Sequence, residues 1–256
     1  MKLSASFADL SEKSVFISGG GSGIGEYLTE GFISQGAKVA FCQRSDASAV
    51  CDRLEKAYGS RPLFLKCDVT DIPAYEAVLD EAAKTHGPVN ILVNNAAWDN
   101  RHRLDELSPD DWDHMLNVNI RHHFFAAKKV APAMIEAGAG SIINYSSISY
   151  MMGNAGYPAY VSAKAGITGL TRGLARELGP HGIRVNALMP GWVITERQKD
   201  LWVTDEALAA HLDRQCLKKP IPPETMVEPT LFLASDASSM MTGQALVVDG
   251  GVVVTG

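Results

Sequence analysis

The sequence of 256 residues lacks most features that would place it outside the ordinary globular class. It has only four cysteines and no C-x-x-C pair, which favours free thiols in a reducing compartment over a disulfide framework. No apolar run reaches about 18 residues, so no membrane-spanning helix is expected. Residues 1–13 lack the apolar core of a signal peptide, and the default location is the cytoplasm.

A concentration of positive charge is also missing. The formal net charge is −6 and the lysines and arginines are scattered, which argues against nucleic acid or an anionic membrane as a partner. Histidines cluster at 101–103 and 121–123, but no H-E-x-x-H or similar ligand spacing occurs. No metal site is therefore predicted, and the Arg-His-His cluster is better explained as a helix-interface or solvated feature.

Short apolar runs alternate with longer helical patterns along the chain. Seven runs are predicted as strands: 14–18, 38–42, 62–66, 90–93, 141–145, 183–188 and 245–248. Helical patterns cover 25–35, 47–58, 71–85, 110–137 (one long helix or a pair), 157–178, 195–216 (irregular) and 224–234. With no linker and no internal repeat, residues 1–256 are predicted to form one α/β domain of the Rossmann type. Such a doubly wound domain has a mostly parallel, seven-stranded sheet and binds ligands at the carboxyl ends of its strands.

A glycine-rich loop, SGGGSGIG, occupies residues 18–25 directly after the first strand. Glycine permits positive φ and lets a diphosphate approach the backbone, while the following helix directs its free N–H groups toward the anion. The spacing G-x-x-x-G-x-G differs from the common G-x-G-x-x-G. Its place between a predicted strand and a predicted helix is nevertheless the context that indicates a dinucleotide site.

The end of the second predicted strand bears on the choice between NAD and NADP. An acid there binds the ribose 2′-OH, whereas an arginine accommodates a 2′-phosphate. This chain has Gln43 followed by Arg44, which favours NADP. Two alternatives stay open: Arg44 as a solvated surface charge, and NAD bound through a neutral hydrogen bond from Gln43.

Tyr160 and Lys164 are four residues apart on a predicted helix and so share one face. A phenol is a poor base at neutral pH, but a nearby cation stabilises the phenolate and lowers the tyrosine pKa. Such a tyrosine accepts a proton from an alcohol while a nicotinamide accepts the hydride. Ser147, in the turn after the fifth strand, is placed to donate a hydrogen bond to the substrate oxygen.

Taken together, these motifs resemble those of the short-chain dehydrogenases/reductases over nearly the whole chain. The matching strings are SGGGSGIG (18–25), CDV (67–69), NNAA (94–97), NVN (117–119), SS (146–147), YVSAK (160–164), PGWVIT (190–195) and DGG (249–251). Two residues depart from the family pattern. Ser18 replaces the usual threonine, and Ala97 replaces the usual glycine and adds a methyl group beside the cofactor.

The resemblance implies an NAD(P)-dependent enzyme and a role for each matching residue. Tyr160 would be the general base, and Lys164 would lower its pKa and bind the nicotinamide ribose. Ser147 would orient the substrate, and Asn119 would hold a water in the proton relay. With Arg44 from the reasoning above, the predicted cofactor-binding residues are Gly19, Ser22, Gly23, Ile24, Gly25, Arg44, Asp68, Val69, Asn95, Tyr160, Lys164, Pro190, Gly191, Val193 and Thr195.

Within that family the chain is most similar to bacterial aldose 1-dehydrogenases. The similarity rests on AAWDNRHRL (96–104), NVNIRHHFF (117–125), GWVITERQ (191–198) and RQCLKKPIPPE (214–224). It implies a sugar substrate whose C1 hydroxyl is oxidised to a lactone, and a homotetramer with the segment 245–256 and the long helices at its interfaces. A sugar pocket would form near Trp98, Asn100, Asn154, Trp192 and Gln198, although loop packing explains each of these residues equally well.

Two other hypotheses compete with a sugar dehydrogenase. One is a carbonyl reductase of the same family that acts on a 3-oxoacyl, keto or steroid-type substrate. The other is a cofactor-binding protein without catalysis. The intact set of Asn119, Ser147, Tyr160 and Lys164 argues against the second, because a binding protein needs no base.

Overall fold

A computed structural model describes Met1 and residues 3–254 and contains one parallel sheet of seven strands. The strand order is β3-β2-β1-β4-β5-β6-β7. The strands are β1 (Ser14–Ser18), β2 (Lys38–Gln43), β3 (Leu63–Lys66), β4 (Ile91–Asn94), β5 (Gly140–Tyr145), β6 (Ile183–Pro190) and β7 (Ala245–Val248). The predicted α/β class and doubly wound sheet are confirmed, and every pairing is parallel.

Helices cover both faces of the sheet. They are α1 (Gly23–Ser34), α2 (Ser48–Tyr58), α3 (Ile72–His86), α4 (Pro109–Leu116), α5 (His122–Ala137), α6 (Ser149–Met152), α7 (Pro158–Leu178), α8 (Glu196–Leu201), α9 (Asp205–Arg214) and α10 (Val227–Ala234). None of the described helices is long and apolar enough to cross a membrane.

Two predicted helical patterns are interrupted. Residues 110–137 form the pair α4 and α5, joined by the π-helical segment Asn117–Arg121. The irregular pattern 195–216 divides into α8 and α9, because Thr204 accepts a hydrogen bond from the Ala207 N–H and starts a second helix. The short helix α6 has no signal in the sequence pattern.

The central strand β1 shows how the two layers are built. Side chains alternate across a strand, so Val15 and Ile17 join the apolar layer with α1 and α10, while Phe16 joins the opposite layer. All five residues of β1 are buried, as expected for a strand covered on both faces. From β1 the chain continues to β2 and β3 on one side of the sheet, and β4 then lies on the other side of β1. The connections that follow β1 and β4 therefore leave the sheet in opposite directions. A crevice therefore opens at their carboxyl ends.

The Arg-His-His cluster lies partly inside the opposite layer. His122 and His123 are fully buried with ring centroids 4.4 Å apart, and His122 packs edge-on against Tyr75 of α3. The helix-interface interpretation is correct for both histidines and the solvated one is wrong. Burial lowers the pKa of His122 to about 3 and that of His123 well below its ordinary value.

These buried histidines predict acid-sensitive stability. His123 stays neutral in the folded chain and accepts a proton on unfolding below pH 6.5, the ordinary histidine value, so its contribution falls as the pH drops. Between pH 7 and pH 5, the free energy of unfolding measured in urea should fall by about 2 kcal/mol more for the wild type than for His123→Leu. His181→Leu, at an exposed histidine, is the matched control. Equal pH dependence in wild type and His123→Leu would show that His123 is protonated in the folded state.

Candidate active site

Most of the predicted site residues meet at the carboxyl edge of the sheet. A cleft of about 480 Å³ opens there between the strand ends and the segment of α8 and α9. The predicted residues that line it are Ile24, Asn95, Ser147, Tyr160, Lys164, Pro190, Gly191, Val193 and Thr195. Ala97 also lines the cleft, so its methyl group stands where the family usually has a bare glycine backbone.

The glycine loop forms one wall and contains no room for side chains at its tightest point. Gly19 and Gly23 have φ of +71° and +54°, and a Cβ at Gly25 would lie 1.8 Å from the Gly19 carbonyl oxygen. Ser22 makes no side-chain cap, so the N–H groups in the first turn of α1 are left for another acceptor. This cradle fits a diphosphate at the positive end of a helix of 12 residues.

The Ser18 hydroxyl ties the glycine loop to the loop after β4. It accepts hydrogen bonds from the backbone N–H groups of Asn95 and Ala96, both at 3.0 Å. In return, the Asn95 carboxamide donates to the carbonyls of Ser18 and Gly19 at 3.1 Å. In the sequence, Ser18 is notable only because it replaces the usual threonine. The structure makes its hydroxyl a bridge between the two halves of the predicted cofactor site.

At the end of β2 the Gln43 carboxamide is used inside the protein. Its oxygen accepts from the Gly21 N–H at 3.1 Å, and its nitrogen donates to the Ser45 carbonyl at 3.1 Å. The Arg44 side chain is 71% exposed and lies 3.7 Å from a carboxylate oxygen of Asp68. The end of the site where the second strand would meet the cofactor ribose is therefore bordered by the exposed guanidinium of Arg44 and by the carboxamide of Gln43. That carboxamide is neutral and already hydrogen-bonded within the protein. Val69 beside Asp68 is buried.

Tyr160 and Lys164 lie one turn apart on α7, which begins with Pro158 at its first position, where a missing N–H costs nothing. The fully buried Lys164 ammonium donates to the Tyr145 carbonyl at 2.8 Å and lies 5.4 Å from the centre of the Tyr160 ring. Ser146 donates to the Lys164 carbonyl at 2.7 Å. These reciprocal bonds hold α7 against the end of β5.

Removal from water governs the ionisation of both groups. It lowers the pKa of Lys164 to about 7, against the attraction of the Asp99 carboxylate. It raises the pKa of Tyr160 above its ordinary value; Asp99 adds to this rise and the Ser147 hydroxyl opposes it. The expected depression of the tyrosine pKa by Lys164 therefore stays a prediction, because in the protein alone burial disfavours the charged forms of both groups.

Asn119 lies in the π-helical segment and its side chain braces the backbone. Its oxygen accepts from the Trp98 N–H at 2.9 Å, and its nitrogen donates to the carbonyls of Trp98 and Met115, each at 2.9 Å. The carboxamide thereby locks the loop after β4 onto α4. A water held by Asn119 in the proton relay stays a prediction.

The outer wall contains residues that sequence reasoning left unassigned or missed. Gln198 donates to the Asp99 carboxylate at 2.7 Å and accepts from the Trp192 indole N–H at 2.9 Å. Asn154 also lines the cleft, whereas Trp98 and Asn100 do not. Asp99 had no signal in the sequence, because its partner Gln198 is 99 residues away along the chain.

Three of the lining residues are also held in place by contacts of their own backbone or side chain. Gly191 donates its N–H to Val248, and Val193 bridges to Ile221. Thr195 caps α8 by accepting from the Gln198 N–H. No cluster of three or more potential metal ligands occurs in the described residues.

The Ser18 bridge predicts a loss of cofactor affinity without loss of the fold. In Ser18→Ala the N–H groups of Asn95 and Ala96 lose their acceptor, and the glycine loop is held to the loop after β4 only by the two bonds from the Asn95 carboxamide. The dissociation constant for NADP, measured by fluorescence titration, should rise about tenfold, while Ser18→Thr should bind as the wild type does. Equal affinity of the alanine and threonine variants would show that the hydroxyl does not hold the loop.

A family model described as enoyl-(acyl carrier protein) reductase matches residues 19–253. The chain is 47% identical over 251 residues to the probable galactose dehydrogenase GalD of Rhizobium meliloti, covering 97% of this chain and 98% of that protein. It is 45% identical over 250 residues to the D-xylose 1-dehydrogenase of Caulobacter vibrioides, with the same two coverages, 97% and 98%.

The fold also matches solved structures over most of the chain. One from Beutenbergia cavernae bears the provisional assignment of an NAD(P) dependent gluconate 5-dehydrogenase and holds NADP at low occupancy. It superposes with a TM-score of 0.90 at 34% identity and covers 96% of this chain and 98% of that one.

Proposed function

Because the chain belongs to the short-chain dehydrogenase/reductase family, we propose that it oxidises the C1 hydroxyl of an aldose to a lactone. Family membership makes it an NAD(P)-dependent oxidoreductase that acts on CH–OH donors. The observation that carries the proposal is that one cleft is lined by Ser147, Tyr160 and Lys164, by Ile24 of the glycine loop and by Asn95, which is hydrogen-bonded to Gly19. Relatives named for galactose and D-xylose, which align over almost their full length, support a sugar as the substrate.

The residues of the cleft divide the work of the reaction. When bound, the oxidised nicotinamide accepts the C1 hydrogen together with its bonding electron pair. The Tyr160 oxygen takes the hydroxyl proton, so that the C1–O double bond forms as the C1–H bond breaks. Ser147 donates a hydrogen bond to the reacting oxygen. Lys164, with its pKa near 7, is suited to exchange that proton with solvent at neutral pH.

The outer wall suits a substrate with many hydroxyl groups. Asp99, Gln198 and Asn154 line the cleft and carry carboxylate and carboxamide groups. Such groups discriminate between hydroxyl patterns, because each one left unpaired by a wrong substrate costs binding energy. A carbonyl reductase of acyl or steroid substrates would need a more apolar wall, so a sugar is favoured.

For the cofactor we propose a preference for NADP over NAD. Gln43 has replaced the acid that would repel a 2′-phosphate, and its carboxamide is committed to the Gly21 and Ser45 backbone. Arg44 is exposed beside it and forms only a loose pair with Asp68. A guanidinium in that position matches a phosphate in charge and geometry. A homotetramer, implied by family likeness, and a cytoplasmic location, expected from the sequence, are part of the same proposal.

Tyr160→Phe tests the reaction itself. The wild type, given a panel of neutral aldoses with NADP or NAD in oxidised form, should produce the absorbance of the reduced cofactor. Tyr160→Phe should lower kcat by at least about a thousandfold, since it removes the proton acceptor. Tyr157→Phe removes a nearby phenol hydroxyl but leaves that of Tyr160 in place. It serves as the control, and its kcat should fall far less. No reduction with any aldose would refute the sugar proposal, and an active Tyr160→Phe would refute the mechanism.

Arg44→Ala tests the cofactor preference. Removal of the guanidinium should lower kcat/KM for NADP about tenfold or more while changing the value for NAD by less than about twofold. Arg61→Ala, at an ion-paired arginine near the other end of β3, is the matched control. Parallel losses for the two cofactors would mean that Arg44 does not contact the 2′-phosphate.

A further inference from the structure

The charge of the cleft is opposite to that of the whole protein. The chain has a formal net charge of −6, yet three arginines, Arg101, Arg197 and Arg214, line the cleft. Asp99 is the one carboxylate among the lining residues of the described chain. Burial lowers the pKa of His211, the histidine in this wall, so it adds no charge at neutral pH. The outer cleft therefore has an excess of positive charge.

One of these charges is already matched within the protein. Arg197 pairs with Asp99 at 3.5 Å, and Asp99 also accepts from Gln198. Arg103, only two residues beyond Arg101, points away from the lining set and pairs with Asp105 at 3.0 Å. Neither Arg101 nor Arg214 forms an ion pair with a carboxylate in the described residues. Apart from Lys164 at the base of the cleft, the unmatched charge is thus confined to these two guanidinium groups.

Arg101 is fixed in position by aromatic rings. Its guanidinium carbon lies 4.1 Å from the centre of the Trp202 ring and 5.7 Å from that of Tyr157. Stacking on a ring face keeps the planar fork of N–H donors free at its edge. The Tyr157 ring in turn lies 5.5 Å from that of Tyr160. A single aromatic residue therefore separates the unmatched guanidinium from the proposed base.

A stacked guanidinium with free edge donors is suited to a planar carboxylate, which it binds through two parallel hydrogen bonds. A pyranose with C1 at Tyr160 whose ring lies across Tyr157 would present the substituent on C5, two ring bonds from C1, to Arg101. In a neutral hexose that substituent is a hydroxymethyl group, whereas in a hexuronate it is a carboxylate.

We propose that Arg101 forms a carboxylate subsite and that the enzyme prefers hexuronates to neutral hexoses of the same configuration. This inference rests on the proposed oxidation at C1 and names its substrate class. The bonds that form and break are the same: C1 loses a hydrogen with its electron pair to the oxidised nicotinamide, and the hydroxyl proton passes to Tyr160. The product is the lactone of an aldaric acid, and the carboxylate at C6 is unchanged.

The kinetic test compares D-galacturonate with D-galactose, and D-glucuronate with D-glucose. The wild type should show kcat/KM about tenfold or more higher for the acid of each pair. Arg101→Gln should abolish that ratio, Arg101→Lys should keep part of it, and the matched control Arg103→Gln should keep it in full. Rising salt should reduce the ratio, since it screens an exposed charge. Galactose 6-phosphate, assayed in parallel, distinguishes a phosphate subsite from a carboxylate subsite.

A binding measurement separates this inference from the proposed function. In the Tyr160→Phe background, isothermal titration calorimetry should give a lower dissociation constant for D-galacturonate than for D-galactose, and Arg101→Gln should remove the difference. The carboxylate subsite would be overturned by equal kcat/KM values for the acid and the neutral sugar, or by a ratio that Arg101→Gln leaves intact. A stronger preference for galactose 6-phosphate would overturn it as well. If no aldose or uronate is oxidised, the proposed function fails, and the binding comparison alone decides the subsite.

Discussion

The hydrogen bonds that Ser18 accepts from the backbone of Asn95 and Ala96 hold the two halves of the site together. Parallel strands bring their carboxyl ends to one edge, but the loops that leave β1 and β4 diverge there, and nothing in the sheet fixes one against the other. The Ser18 hydroxyl and the Asn95 carboxamide supply that link with four bonds between 3.0 and 3.1 Å. The glycine cradle and the loop after β4 are thereby fixed against each other.

A second constraint is the low polarity at the base of the cleft. Lys164 is fully buried and its ammonium donates to the Tyr145 carbonyl, and burial lowers its pKa to about 7. Tyr160 moves in the opposite direction. The two groups are therefore poised against their charged forms in the protein alone. The positively charged nicotinamide ring of an oxidised cofactor, bound beside them, would favour the phenolate form of Tyr160. The site would then remove a proton only after its cofactor has bound.

The sequence was sufficient for the order of elements, the glycine loop and the Tyr160–Lys164 pair, because each depends on contacts within one βαβ unit or one helical turn. It was insufficient where the contacts are distant. Asp99 meets Gln198 across 99 residues, and the burial of His122 and His123 depends on how α5 packs against Tyr75 of α3. The π-helical break in residues 110–137 likewise has no periodic signal, since the pattern on either side continues. Charge in the cleft became visible only when three arginines from separate segments converged.

The central claim is that Tyr160 accepts the substrate proton and that Lys164 sets how readily it does so. Its most direct test is the pH dependence of the single-turnover rate of aldose oxidation, with cofactor bound, in wild type and in Lys164→Met. The account predicts that the rate rises with pH through one ionisation, and that this ionisation moves to higher pH when the neighbouring cation is lost. An identical pH profile in the two proteins would contradict it.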